Sequence, residues 1–387
     1  MAANNSVEKI IAQTFIDIAN GLETGSFGSL PKMAVTALGS EHGEENILNA
    51  AVMAANSGID VTLIGAAEHE SITTAKVTSE DEAHKKMEEL LTNGDIDGVV
   101  TMHYPFPIGV STVGRVVTPA FGKEMFIATT TGTSSADRVE GMIKNAIYGI
   151  ITAKACGIKN PTVGILNIDG ARQTETALKK LKDNGYDITF ATSARADGGC
   201  IMRGNDLLTG SCDVMVTDSL TGNILIKTMS AFTSGGSYES VGYGYGPGIG
   251  EGYDKLVLIV SRASGSPVIA NALKFGAQLV KNNYKKIAES EFEAANKAGL
   301  KKILENRKES VNKASVQKNN VIAPAKEIVT YSFAGIEIMD LEDAVQKLWS
   351  VGIYAESGMG CTGPIVLVSE ANKSKAEVIL KEGGWIS

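Results

Sequence analysis

"VMVTDSLTGNILIKT", residues 214–228, is the stretch that decides the fold. An apolar strand over 213–217 ends at Asp218, and Ser219, Thr221, Gly222 and Asn223 then open a helical run over 222–232. Polar groups thus gather where a strand's carboxyl end gives way to a helix, which is the working edge of an α/β sheet. Working outward, the same rhythm recurs. Strands are expected at 32–38, 60–64, 96–101, 124–130, 161–168, 187–191 and 255–260, and helical stretches lie near 43–57, 80–93, 136–156, 171–184 and 267–290. Such alternation predicts an α/β fold, a mostly parallel sheet with helices on both faces. The charged segment 281–318 reads as the solvated extension of a long helix, followed by a polar linker. A small C-terminal α/β piece comes last, with strands at 327–332 and 364–369 and helices at 341–351 and 371–382. The expected division is therefore 1–309, a linker over 310–325, and 326–387.

Composition excludes several classes. A net charge of −8 over 387 residues argues against a nucleic-acid groove, which needs a basic face. No apolar run reaches the roughly 18 residues of a membrane span, and Lys154 breaks the best candidate, 146–157. The N-terminus reads as an amphipathic helix, not a signal peptide, so a cytoplasmic location away from membranes is expected. Cys156, Cys200, Cys212 and Cys361 form no CxxC pair and the four histidines are scattered. No metal site is expected, and the thiols should be reduced. No GxxxxGK[ST] loop occurs. The glycine-rich "YGYGPGIGEGYD" (243–254) precedes a strand instead of linking strand to helix, so it reads as a mobile lid or substrate-shaping loop and not as a dinucleotide site. No cofactor is called for.

Four loops carry anion-capable groups. In "ATTTGTSSADR" (128–138), Thr131, Thr133 and Ser134 precede a helix N-terminus, a ready anion site whose plainer reading is ordinary Ser/Thr capping. In "IVSRASGSPVIANAL" (259–273), Ser261, Arg262, Ser264 and Ser266 stand before Pro267, a natural first helical residue, and suit a phosphate or carboxylate. The third is the opening stretch, with Asp218, Thr221, Gly222 and Asn223. The fourth, "HYPFPIGVSTVGR" (103–115), offers Ser111, Thr112 and Arg115, with Tyr104 and Phe106 as pocket walls. Near the C-terminus, "SGMGCTGPIVLVS" (357–369) sets Cys361 among glycines. That is either a tight structural turn or a thiol held open to a reactant. Cys156 reads as core and Cys212 as packed, while Cys200, after two glycines, is the rival thiol.

The order of these motifs resembles known families. "VGILNIDGARQTETALKKL" (163–181) followed by "RGNDLLTGSCDVMVTDSLTGNILIKT" (203–228) is similar to the corresponding stretch of the phosphate acyltransferases of phospholipid synthesis, and "SRASGSPVIANAL" (261–273) takes the place of their last phosphate-loop helix. "GVSTVGRVVTPAFG" (109–122) resembles, more distantly, the Ser-Thr loop of phosphotransacetylases. Over its whole length, including "GMGCTGP" (358–364), the chain resembles the alpha subunits of component C of glycine/sarcosine/betaine reductase. These resemblances imply a two-lobed fold of the isopropylmalate-dehydrogenase/phosphotransacetylase kind. They also imply an acetyl group that passes from a carboxymethyl-selenoprotein donor to a thioester on component C, from which inorganic phosphate releases acetyl phosphate. The family's functional cysteine matches Cys361. The implied partners are the beta subunit of component C and the selenoprotein donor, in an oligomer. Two other readings stay open: a stand-alone acyltransferase that uses acyl carrier protein or coenzyme A, and a non-catalytic partner subunit. A coenzyme-using enzyme needs no protein thiol, so the C-terminal cysteine discriminates between them.

Overall fold

The computed structural model describes residues 14–16, 18–19, 30–195, 198–307, 321–337, 340–360 and 363–386. The chain divides into two compact units, Met1–Asn167 with Arg172–Ala298, and Gly299–Ser387 with Ile168–Ala171. No helix of the described residues is long and apolar enough to cross a membrane.

The larger unit is built on one 12-stranded sheet. Its strands are β1 (Lys32–Thr36), β2 (Asp60–Gly65), β3 (Thr73–Lys76), β4 (Gly98–Thr101), β5 (Val110–Val117), β6 (Glu124–Thr133), β7 (Thr162–Leu166), β8 (Thr189–Phe190), β9 (Ile201–Met202), β10 (Val214–Val216), β11 (Gly246–Ile249) and β12 (Val257–Ile259). The order is β3-β2-β1-β4-β12-β11-β5-β6-β10-β7-β8, with β9 pairing β7. Pairings are parallel except β12–β11, β11–β5 and β5–β6. Two parallel halves are thus joined by an antiparallel seam. The intervening helices are α1 (Gly43–Ala55), α2 (Glu80–Asn93), α3 (Arg138–Ala155), α4 (Ala171–Asp183), α5 (Gly204–Thr209), α6 (Ser219–Ala231), α7 (Ser266–Lys281) and α8 (Tyr284–Lys297).

Helices cover both faces of the sheet. A Cβ on Gly149 of α3 would lie 2.3 Å from Val214 Cγ1 and 3.1 Å from Ala128 Cβ, whereas a Cβ on Gly114 would meet Ile226 of α6 at 2.5 Å. Ala128 pairs with Val113, and Gly114 with Ile127. Successive strand residues point to opposite faces, so α3 and α6 sit on opposite sides.

The seam corrects two expectations. Residues 103–115 are not all loop, because Ser111, Thr112 and Arg115 lie on β5. The 243–254 stretch is no lid either, since β11 within it is buried throughout its length. Its glycines serve close backbone approach. A Cβ on Gly246 would stand 1.8 Å from the Val113 carbonyl oxygen, and one on Gly248 2.3 Å from the Phe106 ring. The long solvated helix is corrected as well. Asn283, at φ 52°, ends α7, and α8 starts anew. Its charges do form a solvated face, with Lys285, Glu289 and Glu293 exposed, but the opposite face buries Tyr284, Phe292 and Ala295, with Phe292 edge-on to Tyr148 of α3 at 5.8 Å. Residues 308–320, which hold most of the expected linker, lie outside the described residues.

The smaller unit carries β13 (Tyr331–Ala334), α9 (Leu341–Ser350), β14 (Ala355–Gly360), β15 (Gly363–Val368) and α10 (Lys373–Glu382). Its antiparallel sheet, β13-β15-β14, shares a core of its own that includes Phe333, Val345, Leu348, Val366, Val368 and Leu380. The glycines ahead of the cysteine do not form an open turn: Gly358 pairs with Ile365 and Gly360 with Gly363 as strand residues. Cys361 and Thr362 lie outside the described residues.

Candidate functional site

β6 and β10 are parallel neighbours, with Ala128 opposite Val216, so their carboxyl ends emerge side by side. Between those ends lies a pocket of about 190 Å³. Thr133, Ser134, Ser135 and Arg138 form one wall, Asp218, Ser219 and Leu220 the other, and Asn145 also contributes. Two helices begin here. Asp137 caps α3 by accepting from the Glu140 N–H at 2.7 Å, and Asp218 caps α6 by accepting from Thr221 N–H at 2.8 Å and Thr221 Oγ1 at 3.1 Å. Both N-termini therefore bring the positive ends of their peptide dipoles to one small volume. Asn145 is fixed by Ser111, whose Oγ donates to its Oδ1 at 3.3 Å, and donates in turn to the Thr217 carbonyl at 2.9 Å.

Of the residues singled out in the sequence, Thr133, Ser134 and Asp218 meet in this pocket. Others hold it in shape. Thr112 and Thr130 share a hydrogen bond of 2.7 Å, Thr130 donates to the Tyr245 carbonyl at 2.7 Å, and Thr131 N–H donates to Thr112 Oγ1 at 3.0 Å. Asn223 Nδ2 donates to the Thr130 carbonyl at 3.1 Å. Gly222 is a packing residue: a Cβ there would lie 1.7 Å from the Thr129 carbonyl oxygen, so α6 rests directly on the β6 backbone.

The remaining candidates lie elsewhere. The Arg115 guanidinium is ion-paired with Glu124, donates to Gln278 at 3.0 Å and stands 4.2 Å over the Tyr243 ring. The 261–266 loop forms its own cluster, in which neighbouring side chains already occupy the donors. Arg262 pairs with Glu80 at 3.1 Å, buried Ser264 donates to Glu239 at 2.8 Å, and Ser266 donates to Asn46 Oδ1 at 2.7 Å. Two cations escaped the sequence reading, Arg138 in the pocket wall and Lys227. Lys227, one turn beyond Asn223 on α6, places Nζ 3.4 Å from Ser261 Oγ and 3.7 Å from Glu239 Oε1. Its signal was the helical spacing from Asn223, which puts the two on one face.

The described thiols are poor nucleophiles. Burial pushes Cys156, Cys200 and Cys212 each up to about 12. The nearby Glu175 carboxylate, 3.4 Å from Cys200 Sγ, further opposes ionisation there. Cys156, read as core, is half-buried at the end of α3.

Residues 31–367 match the family model described as fatty acid synthesis protein. The chain is 60% identical over 385 residues to the glycine/sarcosine/betaine reductase complex component C subunit alpha of Peptoclostridium acidaminophilum, covering 99% of this chain and 100% of that protein. It is 25% identical over 233 residues to the phosphate acyltransferase of Thermotoga neapolitana, or 51% of this chain and 68% of that one. Among solved structures, a branched-chain phosphotransacylase from Enterococcus faecalis V583 superposes with a TM-score of 0.45 at 16% identity, over 65% of this chain and 100% of that chain.

Proposed function

We propose, because this chain belongs to the family of glycine/sarcosine/betaine reductase component C alpha subunits and to the fatty-acid-synthesis-protein family, that it transfers an acetyl group from an enzyme-bound thioester to inorganic phosphate. The observation that carries the reading is the convergence of two helix N-termini on one hydroxyl-lined pocket. Phosphate binds there. Its oxygen attacks the thioester carbonyl carbon, a C–O bond forms, the C–S bond breaks, and the thiolate leaves as acetyl phosphate departs. The positive ends of the two helices offset the charge on phosphate and on the oxyanion as it develops. Cys361 carries the thioester. The acetyl group comes from a carboxymethyl-selenoprotein, and the chain works beside a beta subunit in an oligomer in the cytoplasm.

Two arginine variants test where phosphate binds. Arg138→Ala should raise the apparent KM for phosphate about tenfold, consistent with losing a charge-assisted hydrogen bond of roughly 1.5–3 kcal/mol. Arg262→Ala should leave that KM within about twofold, because its exposed pair with Glu80 contributes at most about 1 kcal/mol. The opposite pattern would assign phosphate to the 261–266 loop.

A second prediction concerns the thiols. At pH 7.5 iodoacetamide should leave Cys156, Cys200 and Cys212 unmodified in the native chain. Only the thiolate reacts, and thiols held at about 12 are ionised in roughly one molecule in 10⁴ or fewer. Peptide mapping of label taken up before and after denaturation checks this, and rapid native labelling of Cys200 would reopen it as the acyl carrier.

A further inference from the structure

The hydroxyl pocket carries a group that a plain anion site has no use for, a carboxylate. Among the described residues that line it, only Arg138 and Asp218 are charged, one of each sign. Asp218 caps α6, but capping does not require its charge, because Asn caps a helix as well as Asp does. Beside a fully deprotonated oxyanion that charge is repulsive. Beside an oxyanion that keeps a hydrogen it is an acceptor. The geometry leaves room for such a bond. Asp218 Oδ1 accepts from Thr221 N–H at 2.8 Å and Oδ2 from Thr221 Oγ1 at 3.1 Å. An ionised carboxylate has about four lone-pair sites, so each oxygen can accept once more.

Asn145 supplies the opposite polarity. It lines the pocket and is only 2% exposed. Ser111 donates to its Oδ1, and its Nδ2 donates to the Thr217 carbonyl, which together fix the orientation of the amide. An amide nitrogen carries two hydrogens, and Thr217 is the one acceptor that Nδ2 has among the described residues. A buried donor left over in a pocket wall is satisfied by what the pocket holds. We propose, on the reading of this pocket as the phosphate site, that it selects oxyanions that retain a hydrogen at neutral pH. Asp218 accepts the hydrogen of the P–OH group, and Asn145 donates to a charged oxygen. Sulfate, which has no hydrogen to give at that pH, meets the carboxylate unpaired and is rejected.

Calorimetric titration of the full chain with sodium phosphate, arsenate and sulfate, at pH 7.5 and constant ionic strength, tests this. Phosphate and arsenate should bind alike, and sulfate at least about 100-fold more weakly, because a site built to pair with a hydroxyl discriminates strongly against a ligand that lacks one. Asp218→Asn keeps a good cap, so Tm should hardly move, yet sulfate should gain at least about tenfold relative to phosphate. A purely capping role would leave that ratio where it was, since loss of the charge alone favours both anions. Asn145→Asp, equal in size but without the donor, should weaken phosphate at least about tenfold. Sulfate bound as tightly as phosphate by the parent, with both weakened in Arg138→Ala, would overturn the selection while leaving the pocket an anion site. A ratio unchanged by Asp218→Asn would do the same, and no binding of phosphate would overturn the selection and the pocket reading together.

Discussion

Replacing Cys361 by alanine should abolish arsenate-dependent hydrolysis of acetyl phosphate, a loss of at least about 10³-fold, with Tm and circular dichroism unchanged. Arsenate replaces phosphate in the reverse exchange and gives an ester that hydrolyses unaided, so the assay isolates formation and use of the acyl thioester. The size of the expected loss follows from the other thiols. Cys156, Cys200 and Cys212 are all held protonated at neutral pH, so none can stand in as the carrier. Cys200→Ala is the control: it should keep activity and cost at most a few kcal/mol of stability through the small cavity it leaves. Activity retained without Cys361 but lost without Cys200 would transfer the role. Activity retained without either would favour a carrier thiol outside the chain, as in coenzyme A.

The second large effect is structural. Gly222→Ala should destabilise the larger unit by about 3 kcal/mol and abolish phosphate binding together. The obstacle is a backbone atom: the added methyl would lie 1.7 Å from the Thr129 carbonyl oxygen, which cannot swing aside as a side chain could. Helix α6 would have to lift from β6, carrying Ser219 and Leu220 away from the pocket. In urea the midpoint should fall with little change in slope. Gly204→Ala is the matched control, because no atom lies within 4 Å of a Cβ placed there and its φ is not in the left-handed region. It should be neutral or slightly stabilising.

Much of this was legible in the chain itself. The parallel strands are short continuous apolar runs between helical periods, and that pattern follows directly from burial on both faces. The seam was hidden for the same physical reason inverted. β11 reads Gly-Pro-Gly-Ile and β5 carries Ser111 and Thr112 at full burial, so neither looks like a core strand until the partners that require glycine and satisfy the hydroxyls are seen. β14 was obscured by glycines in the same way. The two walls of the pocket, 128–138 and 214–228, were each recognisable as a polar strand-to-helix turn. That they face one another depends on the β6–β10 pairing, which is long-range and leaves no local trace. Arg115 illustrates the converse. A cation in a hydroxyl-rich stretch reads as an anion ligand, but its engagement with Glu124, Gln278 and Tyr243 is set by tertiary neighbours that spacing does not reveal.

The most direct measurement is incubation of the purified chain with acetyl phosphate, followed by mass spectrometry of its cysteine peptides. A single acetyl group should appear on the peptide that contains Cys361, and added phosphate or arsenate should remove it. An acetyl group on Cys156, Cys200 or Cys212 instead, or no acetylated cysteine in a preparation that still turns over acetyl phosphate with arsenate, would contradict a thioester on Cys361.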